Sequence, residues 1–252
     1  AMVATANALS PDGIFAVSRL AFLELAEAGV TKVGEFHYLH HQPDGTPYAD
    51  PDELARQVIA AALDVGIRIC LLRVMYGRHS PGRVIQPEQR RFADRSPEEA
   101  LAAVERLLAH RDPRVTVGLA PHSVRAVPIE WMRHIAPFRG TIHAHVAEQP
   151  AEVSACIEEH GRSPLQVFAD AGVLNERFTA VHLPHPDSGD AGLLERSGAR
   201  VCVCPSTELD LGDGFFPLEL RSARWCVGTD SHAVSEPLAE TRAIELHARG
   251  LA

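Results

Sequence analysis

No run of apolar residues in this chain reaches the ~18–20 consecutive positions that cross a bilayer as a helix, so a membrane span is not expected. Residues 1–10 lack the basic start and apolar core of a secretory signal. No internal repeat or low-complexity stretch occurs, which sets repeat architectures aside. Basic residues are in deficit: 24 Lys and Arg against 33 Asp and Glu give a formal net charge of −9. Such a chain repels nucleic-acid phosphates and anionic lipid, so neither is an expected partner, although a local basic site for a small anion is compatible with it. Cysteine is scarce and odd in number, at Cys70, Cys156, Cys202, Cys204 and Cys226. Most of these sit in apolar runs and are expected to be buried free thiols in a reducing cytoplasm. Cys202 and Cys204 form only a C-x-C pair, which is not a tetrahedral metal site.

What the chain has in excess is histidine, with 14 residues, several in tight groups. Imidazole is the commonest metal ligand and the neutral-pH acid or base, so the count favours a metal site without placing it. A length of 252 residues with 46% hydrophobic composition suits one large α/β domain over the whole of residues 1–252.

Helical and strand-like segments alternate. Ser10-Pro11-Asp12 has a capping side chain followed by proline at the first helical position, and the helix it opens ends at Gly29. Strands are predicted over residues 30–36, 67–74, 115–120, 141–146, 178–182, 200–204 and 225–228. Helices are predicted between them, one opened by a capping box of Ser96 and Glu99, and a last one over about 237–249. The segment from Tyr76 to Ser96 reads as one long irregular loop, either functional or mobile. Seven short strands, apolar on both faces and separated by helices, imply a parallel sheet. Unusual polar residues fall at the C-terminal ends of five of them: Tyr38, His122, His145 with Glu148, His182, and Asp230. A doubly wound open sheet gathers ligands at one or two switch points, so this distribution favours a closed (β/α)8 barrel of the TIM type. Such a barrel needs eight strands, and the absent one is expected to be the first.

Three groups carry the chemistry. His143-Ala144-His145-Val146-Ala147-Glu148 sets two histidines on one strand face, with a carboxylate three residues after the second. Imidazole there can hold a metal while the carboxylate handles protons. His182 ends the next strand. Asp230, after an apolar strand, can bind a metal through one oxygen and take a proton from water through the other. Each group alone also has a plain structural reading as a polar layer, a turn or a cap. The three in order at strand ends are far more specific.

These residues resemble the amidohydrolase superfamily in its aminohydrolase branch, and within it the formimidoylglutamate deiminases. The resemblance is carried by Glu35-Phe36-His37-Tyr38-Leu39-His40-His41, Ala120-Pro121-His122-Ser123-Val124-Arg125, His143 to Gln149, Cys204-Pro205-Ser206-Thr207-Glu208, Leu211-Gly212-Asp213-Gly214 and Asp230-Ser231-His232. It implies a metal-dependent hydrolase barrel that converts N-formimino-L-glutamate and water to N-formyl-L-glutamate and ammonia, in histidine degradation, with a tendency to form homodimers. It implies one divalent metal, usually Zn2+, on His145 and Asp230, with Asp230 also as general base. Glu148 would shuttle protons and His182 would polarise the substrate. Tyr38, His122 and Arg125 would hold the carboxylates of a small anionic substrate, a role that suits an arginine fork.

The chain departs from the family pattern at the H-x-H pair of the first strand and at the β-sandwich, neither of which is in the sequence. Two explanations follow: an interior portion of a complete enzyme, or a truncated, metal-free paralogue with a binding or scaffold role. Another amino- or imino-hydrolase of the same branch is the alternative activity. Arg73 replaces a family proline, and Asp210 a family asparagine.

Overall fold

The computed structural model describes residues 2–251. They divide into two compact units, residues 1–122 and 123–252. In the first unit the elements are α1 (Met2–Ala8), α2 (Pro11–Glu27), β1 (Lys32–His37), α3 (Glu53–Val65), β2 (Arg68–Met75), α4 (Pro97–Leu108) and β3 (Val115–Pro121). Strands β1, β2 and β3 pair in parallel and in chain order. In the second unit they are α5 (Ile129–Ile135), β4 (Ile142–Val146), α6 (Pro150–His160), α7 (Pro164–Asp170), β5 (Phe178–His182), α8 (Asp190–Ser197), β6 (Arg200–Val203), α9 (Pro205–Leu211), β7 (Arg224–Val227) and α10 (Pro237–Leu251). Here β4, β5, β6 and β7 also pair in parallel, each with the next. All seven predicted strands are thus present, and no helix is long and apolar enough to cross a membrane among the described residues.

Local chemistry explains the helix starts. The Ser10 hydroxyl accepts from the Gly13 N–H at 3.1 Å, satisfying one orphan donor of α2, with Pro11 just inside. Ser163 and Gln166 form a reciprocal capping box on α7. At α4 the expected box does not form, because the Ser96 side chain makes no capping bond. Glu99 instead turns to Arg95, accepting its backbone N–H at 2.8 Å and its guanidinium at 2.8 Å. A charge-assisted pair outcompetes a neutral cap for the same carboxylate.

The segment from Tyr76 to Ser96 is not one structureless loop. It holds a 3-10 turn over Pro87–Phe92, opened by a capping box of Gln86 and Gln89. Arg91 anchors it from a fully buried position, donating to the carbonyls of Leu9 at 2.7 Å and His41 at 3.0 Å, and to that of Ala6. The thiols also differ from expectation. All five cysteines are free, yet only Cys156 and Cys204 are buried, and Cys226 is exposed on β7.

Strand alternation sorts the side chains into two faces. In the first unit Phe36, Tyr38, Cys70, Leu72, Val74 and Ala120 pack together on one face. His37 and Arg73 point the other way, into a cavity of 390 Å³ that residues of α3 and α4 close. In the second unit Val201 and Val203 are wholly buried, while Cys202 and Cys204 alternate with them. Along this second face the strand register sets His145 beside Val181, Val181 beside Cys202, and Cys202 beside Cys226.

Candidate active site

Five non-glycine residues adopt positive φ among the described residues: Ala147 (48°), His182 (72°), Leu183 (60°), Asp230 (41°) and His232 (58°). All belong to the second unit, where they end or follow β4, β5 and β7. Left-handed backbone costs side-chain-bearing residues about 1–3 kcal/mol each and tends to persist where function needs it. Both His182 and Asp230 are aimed by such a turn.

His182 is the centre of the cluster and is 1% exposed. Its Nδ1–H donates to Glu208 Oε1 at 3.2 Å. Its Nε2 lies 3.8 Å from Glu148 Oε1 and 3.9 Å from Asp230 Oδ2. The rings of His182 and His145 stack at 5.5 Å, only 16° from parallel. Burial alone would strip a proton from His182. The Glu208 hydrogen bond and the charges of Glu148, Asp230 and Glu208 outweigh it, so its pKa lies above the usual histidine value. Glu148 is displaced upward too, by burial first, helped by Asp213 and Asp230 against the pull of His182 and Arg125.

Glu208 is held as firmly as the histidine it orients. It is 2% exposed, and Oε1 also accepts the Cys204 N–H at 2.8 Å. Asp213 is buried and accepts from the Gln149 amide at 3.1 Å. Both stand in quoted motifs, Cys204-Pro205-Ser206-Thr207-Glu208 and Leu211-Gly212-Asp213-Gly214, yet neither had an assigned role. Helix α9, which carries Glu208 towards His182, was not foreseen.

The remaining predicted residues fall into two groups. Arg125 belongs to the second unit, and its charge acts on Glu148 and Glu152. Tyr38 and His122 belong to the first unit, where their rings meet edge to face at 5.8 Å. His122 also meets Tyr76 at 5.1 Å, and the Tyr76 hydroxyl accepts from Gln89 at 3.0 Å. His143 is pushed down to about 4 by burial and by Arg200, so it stays neutral at physiological pH.

The donor set fits a divalent metal in kind. His145 and Asp230 offer imidazole nitrogen and carboxylate oxygen, and three carboxylates around one imidazole make a site that favours a cation. Two protein ligands fall short of the usual three for catalytic zinc.

Behind the site Glu152 is 8% exposed and accepts the Glu148 N–H at 3.1 Å, while its other oxygen has no partner. Burial, with the adjacent Glu148 charge, lifts its pKa to about 7. Since its folded-state pKa exceeds the unfolded one, its contribution is fully present below pH ~4.5 and is lost as pH rises through about 7. Glu152→Gln is therefore expected to gain as much as ~3 kcal/mol over the unsubstituted protein above that pH and nothing near pH 4. Thermal unfolding across that range checks it; a gain of equal size at both ends would refute it.

Residues 2–250 match the model of the Amidohydrolase family. The chain is 36% identical to formimidoylglutamate deiminase from Pseudomonas aeruginosa over 245 residues, 94% of this chain and 54% of that protein. It is 31% identical to a 5-methylthioadenosine/S-adenosylhomocysteine deaminase from Halobacterium salinarum, covering 91% of this chain and 50% of that one. Among solved structures, an amidohydrolase from Brucella melitensis superposes with a TM-score of 0.92 at 33% identity, over 98% of this chain and 57% of that one. An adenosine deaminase from Xanthomonas campestris, solved with bound zinc, gives 0.77 at 21% identity, over 98% of this chain and 53% of that one. The chain belongs to the amidohydrolase family, and its parallel βα succession is that of the family's TIM-type barrel. It spans about half the length of the curated relatives it matches.

Proposed function

We propose that this protein hydrolyses the C–N bond of N-formimino-L-glutamate, giving N-formyl-L-glutamate and ammonia. The observation that carries the hydrolytic reading is a buried imidazole, His182, set between Glu208 on one nitrogen and Glu148 and Asp230 near the other. The substrate is supported by the likeness to the Pseudomonas deiminase over nearly the whole chain.

In this reading His145 and Asp230 would hold a divalent metal, most simply Zn2+, and its chemistry when bound would be to make water more acidic, towards a pKa of ~7. Asp230, one-third exposed at its side chain, takes a proton from the attacking water. Glu148, whose raised pKa suits a group that both accepts and returns a proton, delivers one to the departing nitrogen. His182 faces the reacting carbon through Nε2, its ring fixed by the Nδ1–H bond to Glu208. Arg125 pairs with a substrate carboxylate.

A second reading rests on the Halobacterium relative: deamination of an aminopurine nucleoside. Ammonia release by the full-length, zinc-loaded protein from formimino amino acids and from aminopurine nucleosides separates the two. Release from N-formimino-L-glutamate with about one zinc per chain is expected. Release from purines alone would overturn the substrate assignment, and a metal-free, inactive protein would favour a binding or scaffold role.

A further inference from the structure

His182, Cys204 and Glu208 place an imidazole nitrogen, a sulfur and a carboxylate oxygen all within 4.8 Å of one another. All three side chains are buried, at 1%, 2% and 2% exposure. Nitrogen, sulfur and oxygen are the three donor types that zinc takes, at bond lengths that set tetrahedral ligands about 3.4–3.6 Å apart. The His182 Nδ1 to Glu208 Oε1 distance, 3.2 Å, is already near that spacing. The sulfur sits beside them because one feature makes room. Gly228 has no side chain; a β-carbon there would stand 2.9 Å from the Cys202 sulfur and 3.0 Å from the Cys204 sulfur. Cys202, hydrogen-bonded to Cys204, brings a second thiol next to the first.

We infer that these residues form a second, inhibitory site for a thiophilic divalent cation, zinc or cadmium, separate from the His145–Asp230 pair. Binding replaces the Cys204 thiol proton, which is released to solvent. The cation takes Nδ1; the proton held there moves to Nε2 where that nitrogen is bare and is released to solvent where it is already protonated. Glu208 exchanges its histidine contact for the cation, so His182 loses the Nδ1–H bond that fixes its ring and can no longer be doubly protonated. The inhibitory consequence rests on the proposed role of His182; the binding itself does not.

Cadmium titration tests it, because a cadmium–thiolate bond gives an ultraviolet charge-transfer band that carboxylate and imidazole ligation do not. The full-length protein is first loaded with one equivalent of zinc. Added Cd2+ is expected to raise the band to saturation at one equivalent, with release of a proton, and to abolish ammonia release in step. Cys204→Ser keeps the side-chain size and is expected to lose the band and to show the same turnover with cadmium as without it. Cys202→Ser is expected to keep the band. Cadmium uptake without the band, or a band that survives Cys204→Ser and vanishes in Cys202→Ser, would overturn the site. A protein inactive on formimino acids but with the Cys204-dependent band would sink the functional reading alone.

Discussion

Asp230→Asn is expected to lower kcat/KM for N-formimino-L-glutamate by about 10²–10⁴-fold, the range that a positioned general base contributes. The expectation follows from geometry. Asp230 stands in a left-handed turn at φ 41°, which sets Oδ2 3.9 Å from His182 Nε2 and leaves about a third of the side chain open to water. Asparagine keeps the shape and the turn, since it tolerates that conformation, but cannot take a proton. The loss should therefore fall on kcat more than on KM, because the proton is moved in the transition state. Asparagine is also a poorer metal ligand, so zinc content must be measured beside the kinetics. A variant that keeps its metal and turns over within a few-fold of the unsubstituted enzyme would remove Asp230 from the role of base.

How far such a site can be read from sequence depends on which contacts are local. Strand-end residues were legible because the period of 2 and the βα alternation put His145, Glu148, His182 and Asp230 at one edge of the second unit's parallel strands. The partners that hold them were not. Glu208 reaches His182 across 26 residues, from a helix that a strand reading of residues 200–204 does not foresee. Asp213 meets Gln149 across 64. No spacing rule links such residues; the only signal was that each lies in a motif carrying the resemblance. The same limit applies to Glu99, whose spacing from Ser96 suggests a cap but whose charge answers to Arg95.

The histidine-rich stretch at the end of β1 shows why the count of a residue type does not place a site. His37 and His40 stand in a motif that carries the resemblance, and both are buried on the face away from Tyr38. His37 is driven down to about 3, first by burial and then by the charge of Arg73. His40 is pushed well below the usual range by the same two causes and meets the Val74 carbonyl through Nε2 at 2.9 Å. They are neutral polar groups packed under α3 and α4. A cation such as Arg73 in their midst repels a metal.

That arginine carries the second large prediction. Arg73 stands in β2 where the family pattern has proline, and it is 4% exposed. It makes a two-pronged pair with Asp94, at 2.6 and 2.9 Å, and donates to the Val74 carbonyl as well. Asp94 also accepts the Tyr76 N–H at 3.3 Å, tying β2 to the segment beyond it. Burial raises the Asp94 pKa against the pull of Arg73, so for this carboxylate desolvation outweighs what the pairing returns. Removing one partner and removing both should then have opposite outcomes. Asp94→Ala leaves a buried guanidinium with no counter-charge and is expected to destabilise by about 3–5 kcal/mol. The double change Arg73→Met with Asp94→Leu fills the space with apolar atoms and is expected to lie within about 1 kcal/mol of the unsubstituted protein, or above it. Denaturant unfolding of the two single variants and the double gives the coupling directly. Losses that simply add in the double variant would mean that Arg73 and Asp94 are not coupled, and the balance argued from Asp94 would be wrong.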